Sequence, residues 1–325
     1  MVDFLTVLIA VVSLIIIAVP GFLIVKTKLV DSSATGALSA IVLYVCAPAQ
    51  VFMGFQKTSF NKDIGINMLI VAGLATLIHL LMILIMYLSI SGKEQQRKKS
   101  VVRLAGVFGN AAYMGLPFLQ ILYPGNAQMV VYASVVISIF NILTWTFGVY
   151  MITGNLKDVS LKKVIFHPVI IAVVLGVLSF VLIQKPITDI CANGTTGKTV
   201  LQSLLNGVDM VGNMVTPLAM FVVGMRLANV NLQQLFLDKW AYISSVFKLV
   251  VMSFLTILIT VFLPIDTTVK CAIFFLHSMP SAASCALQSV RFGGDGDFAS
   301  VAVLLSTLLS IITIPLTYLL FSVLL

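Results

Sequence analysis

The sequence predicts an all-α protein that crosses a membrane ten times. Of its 325 residues, 60% are hydrophobic and 9% are charged, whereas soluble domains carry about 25% charged residues. The mean hydropathy is +1.13. Ten apolar stretches, each near or above the roughly 20 residues that cross a hydrocarbon core, follow one another with short connections. They are residues 4–25, 34–54, 64–90, 101–122, 127–152, 165–184, 200–225, 239–263, 268–290 and 298–324.

The first stretch is expected to remain as a span. It follows Asp3 and has no Lys or Arg before it, whereas a cleaved signal peptide begins with a positively charged region. The connections are too short for a separate soluble domain.

The distribution of basic residues predicts the orientation. Most of the 19 Lys and Arg residues fall on alternate connections, and the positive-inside rule places these in the cytoplasm and both termini outside. The net charge of +8 therefore reflects topology in a lipid bilayer, and no nucleic-acid partner is predicted. The cytoplasmic set is Lys26, Lys28, Lys93, Arg97, Lys98, Lys99, Arg103, Lys157, Lys162, Lys163, Arg226, Lys239 and Arg291.

The fourth stretch contains residues unsuited to a helix that only has to be apolar. Asn110, Gly115 and Pro117 lie near its middle. Proline removes a backbone donor and clashes with the preceding turn, so we expect the helix to bend or break just before Pro117. In lipid, freed backbone groups are tolerated only inside protein or beside a water-filled cavity, so the break marks a candidate site.

The ninth stretch is interrupted in a similar way. It carries His277, Pro280, Ser281 and Ser284 within eight positions of one another. Two interrupted spans at corresponding positions in two halves of a chain point to the substrate site of a transporter.

Other spans separated by five places also share patterns, which predicts an internal repeat. The second and seventh spans both read proline, three residues, phenylalanine and then glycine within three more, from Pro48 and from Pro217. Spans five and ten repeat one spacing of polar residues, from Ser134 and from Ser306. Residues 1–152 and 165–325 are therefore predicted as two five-span repeats. An odd number of spans inverts the second repeat, so spans four and nine would cross near the midplane as broken helices.

The crossing predicts an anion site. Half-helix ends present unpaired N–H groups and positive partial charge, and a carboxylate is the natural ligand. The predicted substrate-binding residues are Asn110, Gly115, Pro117, His277, Pro280, Ser281 and Ser284. The prolines are expected to shape the site, the polar residues could instead pack helices together, and His277 could serve as a ligand, a proton site or a packing residue.

Three ionisable residues at predicted membrane depth are candidates for coupling or gating, because such groups are usually functional. They are His79, Asp209 and Lys248, with Lys248 also able to reach an interface along its flexible stem. The four cysteines lack C-x-x-C spacing, so no metal and no cofactor are predicted.

The function predicted from these patterns is secondary transport of small organic anions, not enzyme catalysis. The sequence contains no nucleotide-binding, H-E-x-x-H or G-x-S-x-G motif. One alternative is a cation–proton antiporter, which would need paired intramembrane carboxylates. A less favoured alternative is a membrane-embedded hydrolase, with His277 as base and Ser281 or Ser284 as nucleophile on one helical face.

Several of these segments resemble the auxin efflux carrier family, in its bacterial branch of small ten-span permeases. The similarity covers essentially the whole chain. It is carried by residues 110–119 (NAAYMGLPFL), 123–125 (YPG), 217–224 (PLAMFVVG), 279–281 (MPS) and 306–316 (STLLSIITIPL).

The resemblance implies a division of labour between the spans. Spans 1, 2, 6 and 7 would form a scaffold, and spans 3–5 and 8–10 a transport domain that moves like an elevator. The substrate would be a small mono- or dicarboxylate bound where spans four and nine cross, in the cytoplasmic membrane. A homodimer through the scaffold is expected by analogy only.

Overall fold

The computed structural model describes residues 2–59, 61–92, 95–160, 162, 165–187, 190, 196–228 and 232–325. Within these residues the chain is helical, and the only β pairing is one isolated bridge. The predicted class, a polytopic helical membrane protein, is confirmed. Lys93 and Lys163 of the predicted cytoplasmic set lie outside the described residues.

Helices coincide with all ten predicted stretches. They are α1 (Phe4–Lys26), α2 (Ala34–Gln56), α3 (Lys62–Ser89), α4 (Gln96–Val107), α5 (Ala111–Leu122), α6 (Ala127–Thr153), α7 (Pro168–Ile183), α8 (Thr196–Asn213), α9 (Val215–Ala228), α10 (Leu232–Leu237), α11 (Lys239–Val261), α12 (Thr267–Ser278), α13 (Ala283–Phe292) and α14 (Gly296–Leu324). Among the described residues, seven helical segments are long and apolar enough to cross a membrane, with α8 and α9 counted together as Val200–Ala228, and α5 and α7 are shorter apolar helices.

Side chains with acceptor oxygens define where many helices begin. Such residues satisfy backbone N–H groups that have no partner inside the helix. The Asp3 carboxylate accepts from the Thr6 N–H at 2.8 Å, and the Asn61 side chain accepts from the Ile64 N–H at 2.7 Å. Asn126, Asp266 and Asp295 cap α6, α12 and α14 in the same way.

In the described part of the chain, four helical segments widen into π-helix: Val42–Cys46, Ala111–Gly115, Thr144–Gly148 and Phe247–Val251. Such segments are rare and occur frequently at functional sites. They interrupt α2, start α5, and interrupt α6 and α11. The first three contribute residues to one cavity, and the fourth contains Lys248.

Glycines allow α1 and α9 to approach closely. A Cβ atom built on Gly224 would overlap the carbonyl oxygen of Ala18, and one on Gly21 would overlap that of Phe221. Because both obstacles are backbone, neither can move aside as a flexible side chain would. The glycines of these two spans therefore serve helix packing.

Replacing Gly224 with alanine is expected to destabilise the protein by about 1–3 kcal/mol, the usual cost of overpacking. Thermal unfolding of the detergent-purified protein measures the change. Gly73→Ala is the matched control, because Gly73 lies within α3 with no atom within 4 Å of its Cβ position. That variant should be as stable as the parent or slightly more stable, and equal melting temperatures for both variants would contradict the packing role.

Candidate functional site

The chain leaves helical geometry at two places that meet each other. Residues 108–110 separate α4 from α5, and residues 279–282 separate α12 from α13. Gly109 and Ser281 form an antiparallel bridge. The Asn110 N–H donates to the Pro280 carbonyl at 2.6 Å, and the Ala282 N–H donates to the Phe108 carbonyl at 2.9 Å. We call these two paired segments the crossover.

The crossover explains how non-helical backbone can persist among apolar helices. Each segment satisfies backbone groups of the other, so these groups need no water. Gly109 is required by close approach, since a Cβ there would lie 2.7 Å from Lys248 Cε and 3.2 Å from the Met279 carbonyl oxygen.

The interruption begins earlier than Pro117 suggests. The non-helical residues are 108–110, and Pro117 lies in the first turn of the α-helical segment Leu116–Leu122. A proline is tolerated at this position because the first N–H groups of a helix have no internal acceptor. The expectation of a break just before Pro117 is therefore wrong in position, although a π-helical turn does precede it.

Asn110 joins the crossover to the start of α5. Its side-chain oxygen accepts from the Tyr113 N–H at 3.3 Å, and its carbonyl accepts from the Gly115 N–H at 2.9 Å. It is 3% exposed and lines a cavity. Asn110 is thus both a helix cap and a wall residue of that cavity.

The cavity has a volume of about 150 Å³ and lies beside the crossover. Its wall comes from α2, the starts of α5 and α13, the second half of α6, the residue before α7, and the end of α9. The wall residues with polar side chains are Ser39, Tyr44, Asn110, Tyr113, Asn141, Thr144, Trp145, His167, Arg226, Ser284 and Gln288.

The electrostatics of this wall favour an anion. The described residues that line the cavity include the cation Arg226 and no carboxylate. Helices α5 and α13 both begin at the wall, and no side chain caps α13. Helix starts carry positive partial charge and free N–H groups. The arrangement can hold a carboxylate or another small oxyanion.

Five of the residues predicted at the substrate site lie outside the cavity wall. Gly115 packs on α12, where a Cβ would lie 2.7 Å from Leu276 Cδ2. The Ser281 hydroxyl donates to the Ala105 carbonyl at 2.8 Å. Pro117, His277 and Pro280 likewise do not line it. Of the predicted set, Asn110 and Ser284 do.

A buried cluster of ionisable residues lies against the crossover. His277 Nε2 is 3.3 Å from His79 Nδ1, and the Lys248 ammonium donates to the His277 carbonyl at 2.6 Å. His79 also stacks on Phe108, with ring centroids 5.9 Å apart. We call His79, Lys248 and His277 the buried ionisable cluster. It connects α3, α11 and α12, which the sequence does not reveal.

The same contacts argue against a base–nucleophile pair. The ring nitrogens of His277 face the Ile273 carbonyl and His79. Helix α12 ends at Ser278, so the spacing of His277 to Ser281 and Ser284 does not place them on one continuous helical face.

Asp209 belongs neither to the cavity beside the crossover nor to the buried cluster of His79, Lys248 and His277. Its carboxylate forms an ion pair with Lys57 at 2.5 Å, and both side chains are partly exposed. The pair lines a second cavity of about 210 Å³, together with Gln50, Gln120 and Asn126.

Of the polar wall residues, sequence reasoning identified Asn110 and Ser284 and missed the others, among them the ionisable residues His167 and Arg226. Arg226 was counted as a loop charge because it ends an apolar stretch, and His167 lies at the edge of the sixth stretch. The sequence did contain a feature that could have identified Arg226 as a candidate site residue. It lies in the last turn of a membrane helix and has no acidic neighbour in sequence.

Comparison with known proteins identifies the family of the chain. The model of the membrane transport protein family matches residues 6–160 and 152–318. A search of curated proteins found no match. The family match covers nearly the whole chain, so the resemblance to the auxin efflux carriers is confirmed, and the chain belongs to the membrane transport protein family that contains them.

Proposed function

We propose that this protein is a secondary transporter of small organic anions, mono- or dicarboxylates, with the substrate bound in the cavity beside the crossover. The observation that carries the proposal is the character of that cavity. Two helices begin at its wall, Arg226 faces it, and the described residues of the wall include no carboxylate. A cation substrate would find no charged partner there.

The proposed architecture is the ten-span inverted repeat with broken spans four (α4 and α5) and nine (α12 and α13). The cavity wall combines residues from α2, α9 and the position just before α7, which would belong to the scaffold, with residues from α5, α6 and α13, which would belong to the transport domain. A ligand between two bodies can be carried across the membrane when one moves against the other, so the arrangement supports an elevator-like mechanism.

The proposed orientation makes the observed state inward-facing. The cavity is lined by the first half of α2, the second half of α6 and the end of α9. These parts lead to connections that carry Lys26, Lys28 and Lys157, and Arg226 lies on the same side. The positive-inside rule assigns these connections to the cytoplasm, with both termini outside the cytoplasmic membrane.

Coupling and gating are proposed for residues outside the cavity. His79 and Lys248 contact His277, next to the crossover, so a change in their charge or position would act on both broken helices. Asp209 and Lys57 form their ion pair beside the second cavity, which suits a gate. A homodimer through the scaffold remains part of the proposal by analogy alone.

Uptake of radiolabelled mono- and dicarboxylates into proteoliposomes tests the proposal. Imposed proton, sodium and voltage gradients would be applied in turn, with protein-free liposomes as the control. Saturable uptake of at least one acid is expected. No uptake of any acid under any gradient, from protein shown to be folded, would refute the anion-carrier function, and cation-driven proton movement in the same vesicles would favour the antiporter instead.

A further inference from the structure

Two cavity residues on the scaffold side have polar atoms without partners. His167 is 5% exposed, and neither of its ring nitrogens has a hydrogen-bond partner. The Nε of Arg226 is buried and also has none. Both residues line the cavity beside the crossover. Buried polar groups are nearly always hydrogen-bonded, so each exception needs an explanation.

The His167 ring contacts an aromatic ring within the protein. It precedes Pro168, the first residue of α7, and its ring lies 6.1 Å from that of Tyr44, centroid to centroid. The side chain does not cap α7. Neither helix capping nor a protein hydrogen bond therefore accounts for the imidazole at this place.

Arg226 uses one edge of its guanidinium within the protein. Its Nη1 donates to the Ala283 carbonyl at 3.3 Å, which connects α9 to the first residue of α13. The edge that contains Nε is the one on which a carboxylate binds side-on with two parallel hydrogen bonds. Arg226 lines the cavity, as do Ala283 and Ser284 at the uncapped start of α13.

We propose that Arg226 and His167 form the scaffold half of the substrate site, and that Arg226 selects for a carboxylate. The substrate's carboxylate would accept from the guanidinium edge and from the start of α13, with the imidazole as a further donor. This inference rests on the proposed function, because it assigns residues to the same cavity.

The size of the cavity agrees with a small ligand. An apolar protein cavity of about 150 Å³ holds benzene, whereas pockets for drug-sized molecules measure about 300–1,000 Å³. The matching substrate is a short-chain carboxylic acid with only a few carbons.

The test compares carboxylates with their uncharged amides in proteoliposome uptake. The parent protein is expected to take up a short carboxylate and to ignore excess amide of the same length as a competitor. In Arg226→Gln, KM for the acid should rise about 10- to 100-fold, the value of one hydrogen bond to a charged group, and the preference over the amide should disappear. The KM of Arg226→Lys should lie between those of the parent and Arg226→Gln. Lysine keeps the positive charge but cannot form the two parallel hydrogen bonds of a guanidinium.

Arg97→Gln is the matched control. The Arg97 guanidinium also donates to a backbone carbonyl, that of Gly293, but it is exposed and lies outside the cavity. This variant should transport like the parent. Arg226→Gln with unchanged KM and unchanged preference for the acid would overturn the assignment while leaving the carrier function intact.

His167→Phe separates ligand binding from packing. Removing a buried imidazole without partners should leave the melting temperature of the ligand-free protein equal or higher, because the phenyl ring can keep the contact with Tyr44. The rise in melting temperature on adding the transported acid should shrink, since ligand stabilisation follows affinity. A lower melting temperature with an unchanged ligand effect would show that His167 serves packing alone. Absence of acid uptake by the parent protein would instead refute the proposed function.

Discussion

Replacing Asn110 with aspartate is expected to abolish anion uptake while the protein remains folded. Aspartate keeps the acceptor that caps α5 through the Tyr113 N–H, and the backbone bond from residue 110 to the Pro280 carbonyl does not involve the side chain. The positive partial charge of the helix start favours the ionised carboxylate. The new charge would therefore face the cavity and repel the substrate.

The expected loss is about 100-fold or more, because like charges placed together in an interface cost several kcal/mol. Uptake of the best substrate from the acid panel measures it, with melting temperature as the check on folding. Asn61→Asp is the matched control, since Asn61 caps α3 in the same way and does not line the cavity. Normal uptake by Asn110→Asp would mean that the anion does not bind near the start of α5.

Asn110→Ala complements the charge test. This variant loses both the cap and the amide donor without adding charge. A lost cap costs about 0.5–2 kcal/mol, so some loss of stability is expected along with loss of uptake. If stability falls and uptake per folded molecule does not, Asn110 is a structural cap only.

Lys248→Met is expected to give a stable protein with strongly reduced transport. The Lys248 side chain is fully buried, its ammonium donates to the His277 carbonyl, and no carboxylate of the described residues lies within 4 Å. Burying an unpaired charge is costly. An apolar side chain of similar length removes that cost, so the melting temperature should stay equal or rise.

An ionisable residue that is energetically costly to bury at membrane depth usually has a function. Lys248 contacts both broken helices, so a change at this residue would affect both. Its ammonium reaches α12, and its Cε lies beside the position of a Cβ on Gly109. We expect uptake to fall at least about 10-fold, which corresponds to about 1.4 kcal/mol in the transport cycle.

Lys270→Met provides the control for this experiment. Lys270 is also largely buried and donates to a backbone carbonyl, that of Val261, at 3.0 Å, but it lies in the first turn of α12, at the end of that helix opposite the crossover. It should keep its uptake. Full transport by Lys248→Met would show that the buried ionisable cluster only holds helices together, and equal loss in both variants would show that any buried lysine is needed for assembly.

The helical class and the positions of the helices could be predicted from the sequence, because apolar length and composition are local properties. The ninth-span interruption was also predictable, since Pro280 lies among residues 279–282, which are not helical. The interruption before α5 was predicted too late in the sequence. It is stabilised by hydrogen bonds that Phe108 and Asn110 form with residues 282 and 280 of a distant segment, and not by the nearby proline.

The candidate site was predicted in part. Asn110 and Ser284 were identified because polar residues near a break stand out in an apolar sequence. Ser281 was identified by the same argument, yet its hydroxyl is used inside the protein. Arg226 and His167 were missed because each lies at the end of an apolar stretch, where the sequence gives them the character of loop residues.

The sequence by itself determined that this protein is a helical membrane protein of the membrane transport protein family. It also indicated that the fourth and ninth apolar stretches are interrupted helices. Only the tertiary structure decided which residues the two interrupted segments contact. The pairing of residues 108–110 with 279–282, the approach of Lys248 and His79 to His277, and the placing of Arg226 and His167 in one cavity all join residues far apart in sequence. The physical reason is that hydropathy and helix breaking act over a few residues, whereas a binding cavity is made by the packing of several helices.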